Sequence, residues 1–482
     1  MSSKKSNLVE KLNNIVKQHT EFSVVSNQLF CNACNKTIKC DLTHFSHQVK
    51  SHLSSAKHLN TIKLQQSNKK QIGIEESINI QIKSVPNEFY SDICSMFVQT
   101  NTPLYRLNHP AMQTFLKKWT NQLPPDESTL RKNYLPQMFE NAVQQIRDAV
   151  GDNNICLICD ETSDQLNRYL VNILIHVLDG NVHQPMLLHS EYVLSANHQT
   201  ISQCILNACL KLYNGEIHFE KLLLFISDQA PYMIKTGKTL KGMFSNMMHI
   251  TCLAHALNLV CEDIRIRNKK VDSFVSKIKN VFVKCPRRRK ELLEQQGICP
   301  PPVPVITRWC TWLGTVFYLI DNFDKIKTYI NDYDLDDSAS LNACQKFINQ
   351  PSFEDKLLSL DKYRKLADSL KKLQTQGLSM FEQLKIISDL QRELDPDASA
   401  RLESSLKKNP DFKKIVNNDL NFNQKLCLQF STLTSVDVER SFSSFKTILC
   451  DNRCKFSEKN LTMYLFIHYN QNINDIYQNN CI

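Results

Sequence analysis

The apolar positions do not keep one period along the chain. From Asn87 to about Ala149 they recur at helical spacing, as in "SDICSMFVQ", "PAMQTFLKKW" and "ENAVQQIRDAV". The period then shortens. "NICLICD" (Asn154 to Asp160), "YLVNILIHVLD" (Tyr169 to Asp179), "QPMLLHSEYVLS", "KLLLFIS" and "MHITC" are short, rich in β-branched residues and bounded by polar turns, so each predicts a strand. Helical spacing returns in "QTISQCILNACLKLYN", "PYMIKTGKTLKGMFSN" and "LAHALNLVCEDIR", which fall after the third, fourth and fifth strands. The order β-β-β-α-β-α-β-α predicts an α/β fold with a mixed sheet and helices on its faces. From about Ile264 to Lys425 the spacing is nearly all helical. Two further helices close the chain. "TSVDVERSFSSFKTIL" has Thr434 or Ser435 as its cap and Val438, Phe442, Phe445 and Leu449 on one face, and "NLTMYLFIHYN" is strongly apolar.

These shifts suggest boundaries. A compact Cys/His region covers 1–65, and the polar, weakly patterned stretch 66–86 reads as a linker. A helical region covers 87–150, a sheet-bearing region 151–263, a helical stretch 264–425 and a closing region 426–482.

Composition narrows the chemistry. A net charge of +10, from 58 Lys+Arg against 48 Asp+Glu, suits a polyanionic partner without requiring one. Only 9 of 482 residues are glycine, and no Gly-rich phosphate loop exists, which removes the main support for a nucleotide-binding fold. The 18 cysteines are mostly scattered singly, and no charged-then-apolar leader opens the chain. The thiols are therefore expected to be reduced, with close pairs as candidate metal ligands. No apolar run approaches the roughly 20 residues of a membrane span.

The first candidate site is "CNAC", Cys31 and Cys34, followed by His44, His47, His52 and His58. Two thiolates and two imidazoles at such spacing suit tetrahedral Zn²⁺. The histidines could be His47 with His52, or His52 with His58. The later pair is preferred because "HLSSAKHL" reads as one helix carrying ligands near its end. So small a segment has too few apolar residues to fold unaided, and a structural metal would supply the missing stability. Such modules most often bind duplex DNA.

The second is a pair of aspartates at strand ends, Asp160 and Asp228. Alone, each reads as a turn residue. Together they matter if the first and fourth strands are neighbours, because two close carboxylates repel unless a cation such as Mg²⁺ or Mn²⁺ lies between them. A third acid would complete the site. Glu262 and Glu439 are the candidates, and spacing alone favours Glu262, the nearer one.

"SDQAPYM", "HITCLAHALNLV", "ITRWCTWL" and "SVDVERSFSSFKTIL", in that order behind a Cys/His segment, resemble the hAT superfamily of DNA transposases, from about Asn101 onward. The first segment more weakly resembles BED-like and CGG-repeat-binding-protein-like zinc fingers. The resemblance implies an RNase H-like core interrupted by a helical insertion, so that the last core helix arrives late. It reverses the choice of third acid: Asp160, Asp228 and Glu439 match the family's catalytic trio, and Glu262 becomes a helix-face residue. Cys252 and His255 match a Cys-x2-His pair beside the active site, read either as DNA-positioning groups or as helix packing. Trp309 matches a tryptophan that stacks on a displaced base during hairpin formation, with a core packing role as the other reading, and Trp312 is the better core candidate. Arg308 is a phosphate-contact candidate.

Arg287, Arg288, Arg289 and Lys290, and separately Lys235, Lys238 and Lys241, are basic runs suited to a DNA backbone or simply to solvent. The implied protein is a nuclear, metal-dependent transposase acting on double-stranded DNA, a homodimer or higher oligomer through its C-terminal region. The stripe on "NLTMYLFIHY" fits a partner helix or burial within the chain. The rival reading is a domesticated, catalytically silent DNA-binding or chromatin protein. A plain RNase H-like nuclease accounts for neither the finger nor the "ERSFS" helix.

Overall fold

The computed structural model describes residues 12, 14–19, 21–25, 28–34, 36–38, 44–55, 58–59, 87–164, 166–305, 309–333, 338–449 and 456–471. Two compact units divide at Asn87 and Glu88. The stretch 66–86, expected to be a linker, lies outside the described residues, as does Arg308.

In the N-terminal unit, strands β1 (Phe22–Val25), β2 (Gln28–Cys31) and β3 (Lys36–Ile38) form an antiparallel sheet, followed by helix α1 (Phe45–Leu53). Phe22, Leu29, Ile38, Phe45 and Val49 make a small core with Leu12 and Cys31. The helix expected to run through "HLSSAKHL" stops at Leu53. Two serine hydroxyls end it by taking late helical carbonyls: Ser54 Oγ donates to Lys50 O at 2.9 Å and Ser55 Oγ to His52 O at 2.7 Å. His58 therefore lies beyond a turn rather than on the same helix as His52.

In the large unit, α2 (Glu88–Gln99) and α3 (Leu135–Val150) precede a five-stranded sheet of order β6-β5-β4-β7-β8. β4 (Asn154–Ser163), β5 (Tyr169–Leu178) and β6 (Met186–Val193) form an antiparallel meander, and β7 (Leu222–Ser227) and β8 (Met248–Thr251) add in parallel on the other side. Parallel pairing needs crossovers, supplied by α4 (His198–Leu212) and α5 (Pro231–Lys241). α6 (Leu253–Arg267) leaves β8. The fold class is α/β, an RNase H-like mixed sheet. The central strands are buried along almost their whole length, which is why they read as continuous apolar runs. Gly237 lets α5 close onto β8: a Cβ there would lie 2.1 Å from Nδ1 of the buried His249.

From Lys269 to Cys427 the described elements are all helical. The far end of this stretch returns to the sheet. Asn409 accepts from Thr251 N–H and donates to Thr251 O, both at 2.9 Å, and Asp411 accepts from His249 N–H at 2.7 Å. Two side chains thus satisfy the free edge of β8 as another strand would. Then come α7 (Val436–Ile448) and α8 (Glu458–Tyr469). The apolar side chains of α8, Leu461 and Met463 to Ile467, are buried within the chain, and Tyr464 Oη donates to Phe97 O at 2.9 Å. The stripe is thus occupied internally.

The expectation of reduced thiols fails at one pair. Cys261 on α6 and Cys310, with Cα atoms 6.0 Å apart, form a disulfide because the turn carrying Cys310 lies against α6. No described helix is long and apolar enough to cross a membrane.

Candidate metal centre

β4 and β7 are neighbours, and their last paired residues are Ile158 and Ile226. Asp160 and Asp228 each follow two residues later, so both leave the sheet at the same level. One sequence expectation needs correction here. β4 does not end at Asp160 but continues along β5, with Asp160 opposite Asn172. Asp160 is buried, only 7% exposed.

α7 lies across this sheet tip. Its N-terminus is docked on that of α6: Leu253 N–H donates to Leu433 O at 3.1 Å, and Ser435 N–H donates to Cys252 Sγ at 3.1 Å. Of the two expected caps, Thr434 and Ser435, Ser435 is the N-cap residue, but its hydroxyl makes no capping bond and instead meets His255 Nδ1 at 3.3 Å. One turn on, Asn172 Nδ2 donates to Ser441 Oγ at 2.8 Å and pins α7 to β5. Val438, Phe442 and Phe445 are buried beneath it. Glu439 lies between these anchors. Donor atoms of Asp160, His255 and Glu439 all fall within 4.8 Å of one another. Asp228 is outside that set, its Oδ1 accepting from Ala230 N–H at 3.0 Å, yet it is close enough to act on all three electrostatically.

Burial holds these acids up, and repulsion from neighbouring carboxylates adds to it at Asp160 and Glu439. Burial raises Asp160 well above the ordinary carboxylate range; His255 opposes this, while Glu439 and Asp228 add to it. Burial also raises Asp228 and Glu439. For His255, burial works against the charge, but the Cys252 sulfur, Asp160 and Asp228 outweigh it and raise the ring to about 10. Cys252 is lowered in turn: burial opposes its ionisation, and His255 and the Ser435 contacts prevail. An imidazolium thus lies among carboxylates that resist ionising together. Carboxylate oxygens gathered this closely suit a divalent cation such as Mg²⁺ or Mn²⁺, which would relieve that repulsion.

Glu262, favoured by spacing alone, pairs with Arg265 at 2.8 Å and has no place in the cluster. Glu161 was missed. It accepts a hydrogen bond from Tyr232 Oη, its other oxygen is buried without a partner, and burial raises it, opposed by the Tyr232 bond and aided by Asp228. Its only signal is adjacency to Asp160, and strand alternation argues against two neighbours sharing a site.

The Trp309 ring meets the His255 ring edge-on, with centroids 4.8 Å apart, whereas Trp312 is a buried core residue. Among the basic candidates, Arg287 and Arg289 are exposed, Arg287 pairing with Glu291 at 3.1 Å. Arg288 is turned inward, its guanidinium 5.6 Å from the Tyr333 ring and Nη1 donating to Ser338 Oγ at 3.3 Å, so it is a packing residue rather than a phosphate contact. Lys235 and Lys238 are exposed, and Lys241 pairs with Asp411.

In the N-terminal unit, donor atoms of Cys31, Cys34, His52 and His58 fall within 4.8 Å of one another. His58 Nδ1 lies 3.3 Å from Cys34 Sγ and 3.6 Å from Cys31 Sγ. His52 Nε2 is buried with no hydrogen-bond partner, an arrangement that a metal ion satisfies. His47 is exposed and outside the set.

No curated protein matches the chain. Among solved structures it is similar to the Drosophila P element transposase strand transfer complex, at 14% identity and a TM-score of 0.40, covering 86% of this chain and 99% of that one. A likeness that slight carries no inference about function. Residues 125–281 match the family model of DUF659, a domain of unknown function.

Proposed function

We propose that this protein is a hAT-type DNA transposase that cuts and joins strands at transposon ends in the nucleus. The observation that carries the reading is the meeting of Asp160, Glu439 and His255, from a strand, a late helix and the helix after β8, with Asp228 at the neighbouring strand tip. Asp160, Asp228 and Glu439 would hold Mg²⁺ or Mn²⁺. When bound, such ions polarise a phosphodiester and favour an attacking oxygen at neutral pH.

The chain's own groups have distinct roles in this reading. Asp160 and Glu439 bring carboxylate oxygens within 4.8 Å of each other, so their charge converges on one point that a cation would occupy. His255 keeps a proton beside them, held by Cys252 and oriented by Ser435, and can stabilise negative charge on a phosphate oxygen. Trp309, against His255, offers an aromatic face to a base displaced as the freed hydroxyl attacks the opposite strand and closes a hairpin. Exposed Arg287, Arg289, Lys235 and Lys238 would contact the DNA backbone. The N-terminal unit would hold Zn²⁺ through Cys31, Cys34, His52 and His58 and bind duplex DNA. Oligomerisation through the C-terminal region belongs to the same reading, and a partner there would meet exposed residues such as Glu458 and Lys459, since the apolar stripe of α8 is spent.

The test uses purified protein, labelled DNA bearing the repeats that flank its own gene, and Mn²⁺. Nicking followed by a hairpin product is expected. Undiminished cleavage by Asp228→Asn would remove that residue from the site, and no cleavage by the wild type on any candidate repeat would overturn the reading.

A further inference from the structure

Trp309 and Cys310 are held by one face of α6. His255, Asn258 and Cys261 recur at intervals of three and so lie along a single helical stripe. Each grips the segment differently. The His255 ring meets the Trp309 ring, Asn258 Oδ1 accepts from Cys310 N–H at 3.2 Å, and Cys261 is bonded to Cys310. Cys310 adopts φ 55°, a left-handed conformation that a side chain occupies only when its surroundings impose it. On the other side Thr311 Oγ1 both donates to Val305 O, at 2.9 Å, and accepts from Val305 N–H, at 3.0 Å. Trp309 is thus fixed next to the acidic cluster by its neighbour Cys310.

We propose that Asn258 and the Cys261–Cys310 disulfide are positioning groups for Trp309, and that the thiol–disulfide state of this pair decides whether the indole is held against His255. The inference deepens the role given to Trp309 above and rests on it. With the bond formed, Cys310 cannot leave the face of α6. With it broken, one hydrogen bond and one ring contact remain, against the cost of the left-handed backbone. The exchange needs two molecules of a small thiol of the glutathione class. The first thiolate attacks the sulfur of the half-buried Cys310 and expels the Cys261 thiolate; the second attacks the external sulfur of that mixed disulfide, expels the Cys310 thiolate and leaves as the external disulfide, and the two cysteines take up the protons of the two small thiols.

The test equilibrates the full chain in glutathione buffers of graded poise. Peptide mapping after thiol labelling reads the Cys261–Cys310 bond, and the emission difference between wild type and Trp309→Phe, with acrylamide as quencher, reads the exposure of Trp309. The bond is expected to titrate as one two-electron couple, its oxidised-to-reduced ratio changing about 100-fold over roughly 60 mV. Quenching of Trp309 should rise about twofold on reduction as Cys310 is freed from α6. Cys261→Ser should show the high value at every poise. Asn258→Leu should raise it further in the reduced protein, while Asn258→Asp, which keeps the acceptor oxygen, should not. Free thiols at both positions in every buffer, or quenching that ignores the bond, would overturn the proposal. Redox-dependent exposure of Trp309 in a protein that cleaves no DNA would refute the proposed function and leave this clamp standing. Cleavage with no redox response at Trp309 would do the reverse.

Discussion

Replacing Glu439 with glutamine should stabilise the metal-free protein while removing its strand cleavage. Donor atoms of Glu439 and Asp160 lie within 4.8 Å. Two unit charges at that distance repel by about 3.5 kcal/mol at an effective dielectric constant near 20. The full amount is not reached, because Asp160 can keep a proton and His255 offsets part of the charge. A net gain of about 1–2 kcal/mol at pH 7 remains. The sign follows from proton uptake. Asp160, Asp228 and Glu439 are all raised in the folded chain, so the native state binds protons that the unfolded state has released. Their contribution to stability therefore falls as pH rises from the ordinary carboxylate range through the raised values. Urea unfolding followed by circular dichroism, in chelator and in Mn²⁺ at pH 6, 7 and 8, measures this. Wild type should lose stability with pH in chelator and regain about 2.7 kcal/mol when Mn²⁺ reaches a hundredfold excess over its dissociation constant. Glu439→Gln should start higher, vary less with pH and gain less from Mn²⁺. A variant less stable than wild type in chelator at pH 8, or one that gains as much from Mn²⁺, would refute the repulsion argument.

Buried His176 and His249 are each lowered to about 4, chiefly by burial, and should drive acid unfolding. Their neutral forms stabilise the fold above about 6.5, and this is lost as pH falls toward 4, by at most about 3 kcal/mol each; urea titrations at pH 7 and 5 should show a shallower acid loss in His176→Gln. Gly237→Ala should cost about 3 kcal/mol by thermal unfolding, since the new Cβ would meet a His249 ring held by Ser227 at 2.9 Å and packed on Phe225. Removing zinc with a chelator, or changing His58 to alanine, should unfold the N-terminal unit while residues 88–482 keep their own transition; His47→Ala should retain one equivalent of zinc, read by metal analysis. Trp309→Ala should still nick labelled DNA but yield little hairpin, a split readable on a denaturing gel.

Much of this protein was legible in sequence because local spacing reports local structure. Five strands and the helices between them followed from a change of period, whereas the neighbouring placement of Asp160 and Asp228 was only a condition in sequence and was decided by the strand order of the sheet. Four Cys/His donors were identified from spacing, although the reason given for the later histidine pair, one continuous helix, was wrong. Side-chain partners were not legible wherever they come from distant parts of the chain. Spacing favoured Glu262 over Glu439; only the resemblance reversed that, and only the docking of α7 on α6 through Leu433, Ser435 and Cys252 brings Glu439 to the sheet. Arg288 read as a surface cation until Tyr333 and Ser338 enclosed it, and α8 carries the same apolar stripe whether its partner is another chain or its own β6. The burial of Asp160 and the bond between Cys261 and Cys310 belong to the same class. Hydrophobic periodicity records which face of an element avoids water; which other element covers that face depends on contacts far apart in sequence, and these form only in the assembled fold.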